Sequence, residues 1–78
     1  MKTIEVLGPG CANCQRLEAT VRAVVERTGI EAEIHHVVDY REIAARGVMS
    51  TPGLVIDGVV VSSGRVPTNE QVEAWLAA

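Results

Sequence analysis

The stretch TPGLVIDGVVVSS, residues 51–63, decides the fold of this 78-residue chain. Its first three residues end any helix before them, because proline and glycine both interrupt regular structure. Two runs rich in β-branched residues follow, separated by Asp57-Gly58, a pair that favours a type I′ turn. The stretch therefore predicts two antiparallel strands joined in a tight hairpin.

The chain before the hairpin begins with a predicted strand, helix and strand. Residues 2–7 have the composition of a strand, and Gly8-Pro9-Gly10 ends it. From Cys14 onward, apolar residues recur at helical spacing, and Gly29 is expected to end that helix. Residues 31–38 predict the second strand. Because a helix joins the two strands, we expect them to be parallel, with a right-handed crossover.

Two more helices are predicted, one before the hairpin and one after it. Asp39 is expected to cap the first of them, and Gly47 to end it. Its inner face is assigned to three residues, Tyr40, Ile43 and Ala44. Thr68, with Gln71 three residues later, is expected to open the last helix. The buried stripe of that helix is assigned to Val72, Trp75 and Leu76.

The predicted order is β-α-β-α-β-β-α, which indicates an α/β fold. We expect a four-stranded mixed sheet with an antiparallel hairpin and with helices on both faces. One domain is expected over residues 1–78, since a chain of this length supports a single small core. Met49 is expected to fill a gap in that core next to Pro52.

Composition limits the classes of function. The formal net charge is −3 and no basic run is present, so nucleic-acid binding is disfavoured. The longest apolar stretch is interrupted by Asp57 and is too short to cross a bilayer. Glu5 interrupts any apolar region near the first residue, so we expect no signal peptide and a cytoplasmic location. Most disulfides in that compartment are transient and catalytic.

The only two cysteines, Cys11 and Cys14, stand three residues apart in GPGCANCQ, residues 8–15. A disulfide between them closes too small a loop to be a useful structural link. Cys14 begins the apolar stripe of its helix and is expected to be buried. Cys11 is expected to be exposed at the first turn, where free N–H groups and the helix dipole favour a thiolate.

Two unequal sulfurs at this spacing suit thiol–disulfide exchange. In that chemistry Cys11 is the accessible nucleophile, and Cys14 is the shielded partner that resolves the mixed disulfide. Metal sites use the same spacing, so the motif alone leaves both chemistries open.

The segments GCANCQ, TPGLVIDG and GRV, in this order, resemble the small archaeal and bacterial glutaredoxin-like "redox-active disulfide" proteins, which have a short thioredoxin fold. The resemblance covers essentially the whole chain. It implies a protein thiol–disulfide oxidoreductase with Cys11 as nucleophile and Cys14 as resolving cysteine. It also implies that Pro52 is a cis-proline facing the motif, and only X–Pro bonds adopt cis at tolerable cost.

The same resemblance implies the residues that bind substrate and the partners of the reaction. The backbone of Thr51 is expected to pair with an extended stretch of the partner, and the substrate-binding set comprises Thr51, Pro52, Ala12 and Asn13. Glu5 stands six residues before Cys11, the offset of the buried acid of thioredoxins, and is a candidate proton acceptor for Cys14. Expected partners are protein disulfides and dithiols and a reductase, with no cofactor, no metal, no membrane and a monomeric state.

Two other classes of function remain as alternatives. One is a Cu(I) carrier of the heavy-metal-associated type, since two thiolates suit a soft ion. That family has Met where this chain has Pro9, follows a β-α-β-β-α-β order and lacks a counterpart of Thr51-Pro52. His35 and His36 are adjacent on a strand and point to opposite faces, so they cannot share a metal. The other alternative is a non-catalytic redox sensor or adaptor.

Overall fold

The computed structural model describes residues 1–10 and 12–77. Within those residues the order of elements is the predicted one. The elements are β1 (Lys2–Leu7), α1 (Ala12–Thr28), β2 (Ala32–Val37), α2 (Tyr40–Ala45), β3 (Gly53–Ile56), β4 (Val59–Ser63) and α3 (Asn69–Ala77). Cys11 and Ala78 lie outside the described residues.

The four strands form one mixed sheet in the order β2-β1-β3-β4. Strands β1 and β2 are parallel, while β3 is antiparallel to both β1 and β4. These pairings confirm the predicted parallel unit and hairpin. Leu7, the last residue of β1, lies between Val37 of β2 and Gly53 of β3. The end of β1 and the start of β3 are therefore side by side, which places the segments that follow and precede them at one end of the sheet.

Helices cover both faces of the sheet, as predicted. Alternate residues of β1 point to opposite faces of the sheet. Helices α1 and α3 pack on one of these faces. The core on this face comprises Ile4, Val6, Leu17, Val21, Val24, Leu54, Ile56, Val72 and Leu76. Helix α2 packs on the other face, over a smaller core of Leu7, Ile43, Val48 and Val55. Strand β3 is buried along its whole length.

Two local predictions about turns and caps are confirmed. Asp57 and Gly58 have φ values of 50° and 83°, the positive pair that a type I′ turn requires. The N–H of Thr3 donates to the Asp57 carboxylate at 2.9 Å, which ties the hairpin to β1. The N–H of Thr68 donates to Gln71 Oε1 at 3.0 Å, and the N–H of Gln71 donates to Thr68 Oγ1 at 3.2 Å. This is the reciprocal capping box expected before α3.

The prediction for the inner face of α2 is wrong at two of its three positions. Asp39 caps the helix and Ile43 is buried, as expected. Tyr40, however, is 63% exposed, and Ala44 is also exposed. The reason is length, since a six-residue helix has fewer than two turns and meets the sheet along one narrow line.

The prediction for Met49 is also wrong. Its side chain is 91% exposed, whereas its neighbour Val48 is buried in the smaller core. The chain leaving α2 therefore turns Val48 inward, and Met49 points away from the core.

Candidate active site

The segments singled out in the sequence meet where β1 ends. Gly8 follows β1, is buried, and donates its N–H to the carbonyl of Val37 at 2.9 Å. A Cβ added to Gly8 would collide with the sulfur of Cys14 and would lie 3.7 Å from Cβ of Thr51. Cys14 and Thr51 therefore both lie close to the point where a side chain of Gly8 would stand. The structure brings together these two parts of the predicted site.

Cys14 lies in the first turn of α1 and is fully buried, which confirms that its side chain faces the interior. Its sulfur takes part in a disulfide. Ala12 and Asn13, the residues inside the motif, are exposed at the start of α1. The predictions for Cys11, its exposure and its role as nucleophile, lie outside the described residues.

The peptide bond between Thr51 and Pro52 is cis, the isomer that the sequence predicts. Pro52 is buried and Thr51 is half-buried. The carbonyl of Pro52 accepts a hydrogen bond from the N–H of Gly64 at 2.9 Å. A Cβ added to Gly64 would lie 3.2 Å from Cβ of Ser50, so this loop packs closely against the residues before Pro52. The GRV segment, which begins at Gly64, thus adjoins the same site.

Glu5 has a well-defined partner on the α2 side of the sheet. Arg46, at the end of α2, donates from Nε to Oε1 of Glu5 at 2.9 Å and from Nη2 to Oε2 at 2.7 Å. These hydrogen bonds lower the pKa of Glu5 despite the opposing effect of partial burial, and the charges of Arg46 and His35 lower it further. Glu5 is therefore an ionised carboxylate held by a bidentate ion pair, and it joins β1 to α2.

A protein-family model described as a thioredoxin domain matches residues 2–77. The chain belongs to the thioredoxin family. Two archaeal relatives named thioredoxin align over nearly all of it. The one from Methanothermobacter thermautotrophicus is 38% identical over 77 residues, which cover 99% of this chain and 100% of that protein. The one from Methanocaldococcus jannaschii is 40% identical over 76 residues, which cover 97% and 87% respectively.

Membership of the thioredoxin family identifies the protein as a thiol oxidoreductase. The α/β fold, with its four-stranded mixed sheet, is consistent with that family. The family resemblance drawn from the cysteine and proline segments is confirmed.

An apolar groove borders the candidate site on its Thr51 side, and no pattern in the sequence predicts it. Its volume is about 260 Å³, and it is lined by Tyr40, Ile43, Ala44, Val48, Met49 and Thr51. The exposed side chains that were assigned to the core, those of Tyr40 and Met49, are part of this groove. Their apolar surface adjoins the segment expected to bind substrate.

A histidine on the opposite side of the site was likewise not assigned a role. Nε2 of His36 lies 3.1 Å from the carbonyl oxygen of Gly8, and Nδ1 lies 3.3 Å from Oε1 of Glu18. The neighbouring His35 instead lies 3.4 Å from Glu33, two residues earlier on the same strand. The two rings therefore point to opposite faces, as predicted. No sequence signal identifies the contact with Gly8, because it depends on how β2 aligns with the end of β1.

Proposed function

We propose that this protein exchanges disulfides with partner proteins through Cys11 and Cys14. The observation that carries the proposal is the meeting of Cys14, Gly8 and Thr51 at the end of β1. A buried sulfur that lies beside the cis-proline segment is well placed to resolve a mixed disulfide formed next to it. Membership of the thioredoxin family supports the same chemistry.

In the proposed reaction the thiolate of Cys11 attacks one sulfur of the partner's disulfide. The partner's S–S bond breaks, one partner thiolate leaves, and a mixed disulfide joins Cys11 to the partner. Cys14 then loses its proton and attacks the sulfur of Cys11. A disulfide forms between the two cysteines, and the partner's second thiolate leaves and is protonated. Two electrons pass to the partner, and a dithiol or a reductase must restore them.

Substrate binding is proposed to involve the exposed residues around the motif and the segment before the cis-proline. The backbone of Thr51 would pair with an extended stretch of the partner, and Pro52 would lie beside its disulfide. Ala12 and Asn13 are exposed at the start of α1, which supports a contact with the partner. The groove that holds Tyr40 and Met49 would receive an apolar side chain of the same stretch.

The role of Glu5 as proton acceptor for Cys14 stays a prediction. The lowered pKa of Glu5 makes it a weak base, so a proton taken from Cys14 would have to be passed on rather than kept. The titration of the Cys14 thiol in Glu5→Gln tests the role. A curve shifted to higher pH supports it, and an unchanged curve contradicts it.

The expected location and assembly are also proposals. We propose that the protein acts in the cytoplasm as a monomer that meets protein dithiols, protein disulfides and a reductase. Within residues 1–10 and 12–77, no helix is both long and apolar enough to cross a bilayer.

The heavy-metal-associated alternative predicts a β-α-β-β-α-β order that ends in a strand. The observed order has α2 between β2 and β3, where the order of that family has no helix. The two orders cannot be reconciled by moving boundaries, so the carrier hypothesis loses its structural basis. A redox sensor or adaptor would have the observed fold and would differ from the proposed oxidoreductase only in lacking catalytic turnover.

Catalysed reduction of insulin by dithiothreitol tests the proposal, with wild type, Cys11→Ser and Cys14→Ser compared. We expect multiple turnovers for wild type, none for Cys11→Ser, and a trapped mixed disulfide through Cys11 in Cys14→Ser. A Cys14→Ser protein that traps nothing would contradict the assigned roles. Stoichiometric oxidation without turnover would indicate a sensor, and tight Cu(I) binding without exchange would indicate a metal carrier.

A further inference from the structure

Glu18, His36 and Gly8 form a chain of polar contacts that reaches the dithiol site from the edge of the sheet. His36 lies on β2, which is an edge strand, and its side chain is 35% exposed. Its two ring nitrogens face Oε1 of Glu18 on α1 and the carbonyl oxygen of Gly8, at 3.3 Å and 3.1 Å. The other carboxylate oxygen of Glu18 lies 3.2 Å from Nε of Arg22.

Both groups that face the ring of His36 are hydrogen-bond acceptors. A neutral imidazole carries one N–H and donates to one of them, whereas the protonated ring carries two and donates to both. Carboxylates are stronger acceptors than carbonyls. The single proton of the neutral ring is therefore expected on the side of Glu18, which leaves the Gly8 carbonyl without its donor. Only the protonated ring satisfies both contacts.

Gly8 transmits this contact to the redox site. Its Cα is so close to Cys14 that a Cβ there would overlap the sulfur. Its N–H is fixed by the backbone of Val37, but its carbonyl is held by the side chain of His36. Any rotation of the peptide after Gly8 changes the path of the short segment that leads from β1 into the cysteine motif. The carbonyl contact thus acts on the first peptide group of that segment.

We propose that His36 is a positioning residue for the dithiol: in its protonated form it holds the Gly8 carbonyl, and on losing a proton it releases that carbonyl. This role rests on the proposed disulfide exchange. It acts through the backbone, so no proton passes between His36 and sulfur. The rate of exchange is higher when the segment is held, because a preorganised nucleophile needs less rearrangement to react.

The charged groups near His36 in the described part of the chain support this assignment. From α1, Glu18 faces the ring and Arg22 contacts Glu18. From β1, the residue paired with His36 is the apolar Val6. His35 is paired with Glu5 in the same register and lies on the other face of the sheet. It therefore provides a control histidine at the adjacent position with no contact to Gly8.

The kinetic test follows the reaction of the reduced protein with 5,5′-dithiobis(2-nitrobenzoate) between about pH 5 and pH 8, where imidazoles change charge. At the acidic end we expect His36→Ala to react roughly 3- to 10-fold more slowly than wild type, the factor that one hydrogen bond provides. The ratio of the wild-type rate to the His36→Ala rate should fall toward one as the pH rises. The pH dependence of the rate for His36→Gln should lack the change that depends on His36. The rates for His35→Ala should match those of wild type over the whole range.

The Glu18→Gln variant is expected to differ from wild type at high pH. Without the carboxylate, the neutral ring is free to keep its proton on the Gly8 side. We therefore expect Glu18→Gln to retain fast exchange at the alkaline end of the range. A ratio of wild type to His36→Ala that is constant with pH, or an equal effect of His35→Ala, would overturn the inference.

A measurement of structure separates this inference from the proposed function. The carbonyl ¹³C resonance of Gly8 should shift together with the ring resonances of His36 in wild type, and should stay constant in His36→Gln. A constant Gly8 resonance in wild type would overturn the positioning role. Wild type that reacts no faster than Cys11→Ser would overturn the proposed exchange and with it the kinetic role of His36, even if the resonances move together.

Discussion

Gly8 is buried, and the sulfur of Cys14 occupies the space that a side chain at this position would need. At the residue scale, we expect Gly8→Ala to destabilise the protein by roughly 1–3 kcal/mol, the usual effect of overpacking a filled site. Urea unfolding measures the change. Disulfide exchange should also slow, because the added methyl group displaces Cys14.

A double-mutant cycle identifies the cause of the Gly8→Ala effect. In a Cys14→Ala background the sulfur is gone, so the part of the destabilisation that comes from overlap with it should disappear, since residues in contact are not additive. The part that comes from the φ of 159° at Gly8 should remain. An equal loss of stability in both backgrounds would show that the contact with Cys14 is not responsible.

The ion pair between Glu5 and Arg46 predicts a loss of stability in acid. Because folding lowers the pKa of Glu5, its contribution is present above its ordinary pKa of 4.5 and is lost as the pH falls through the folded value. At pH 7 we expect Glu5→Gln to cost about 1 kcal/mol, the scale for a partly exposed charged pair. Near pH 3 the difference between variant and wild type should become small.

Urea unfolding at both pH values measures this effect, with Glu26→Gln as the control at an exposed position of α1. The control should change stability little at either pH. A Glu5→Gln variant whose deficit is the same at pH 7 and pH 3 would mean that the deficit comes from packing rather than from the charge.

At the scale of elements, the capping box before α3 is the clearest local determinant. Thr68→Ala removes the acceptor for the N–H of Gln71, and we expect a loss of about 1 kcal/mol, typical of a removed N-cap. Thermal unfolding measures it, and Ser63→Ala, at an exposed position of β4, is the control. Each side chain accepts from the backbone N–H of the other residue, and Gln71→Ala keeps the N–H of residue 71, so Thr68→Ala should cost about the same in a Gln71→Ala background. A loss for Thr68→Ala no larger than that for Ser63→Ala would contradict the cap.

The sequence predicts these elements well because their signals are local. The Asp57-Gly58 turn, the capping box at Thr68 and the apolar stripe that begins at Cys14 each depend on a few neighbouring residues. The order of elements and the burial of Cys14 follow from them. Contacts across the sheet are different, because they depend on register and on the direction in which each loop leaves its helix.

That difference explains what the sequence did not predict. Tyr40 and Met49 were assigned to the core on the strength of their apolar character, but whether they face it depends on the length of α2 and on the path of the loop after it. The contacts of Glu5 with Arg46 and of His36 with Gly8 join residues that are 41 and 28 positions apart. No short pattern encodes such pairs.

At the scale of the whole molecule, the proposed redox site lies at one end of the sheet, and the apolar groove extends it on the Thr51 side. In the proposed exchange a small disulfide reagent needs to reach only the sulfur atoms, whereas a protein substrate is expected to cover the groove as well. We therefore expect Tyr40→Ala and Met49→Ala to raise KM for insulin by roughly 3- to 10-fold through lost apolar contact. Their reaction with 5,5′-dithiobis(2-nitrobenzoate) should stay unchanged.

The matched control for the groove is Val59→Ala. Val59 is 62% exposed, almost the same as Tyr40 at 63%, but it pairs with Ile56 at the end of β3 that is farther from Thr51. Because all three side chains are largely exposed, none of the substitutions should change the free energy of unfolding by much. An equal rise in KM for Val59→Ala would mean that general surface apolarity, rather than this groove, attracts the substrate. A rise confined to Tyr40→Ala and Met49→Ala would show that partner recognition depends on the residues that the fold excluded from its core.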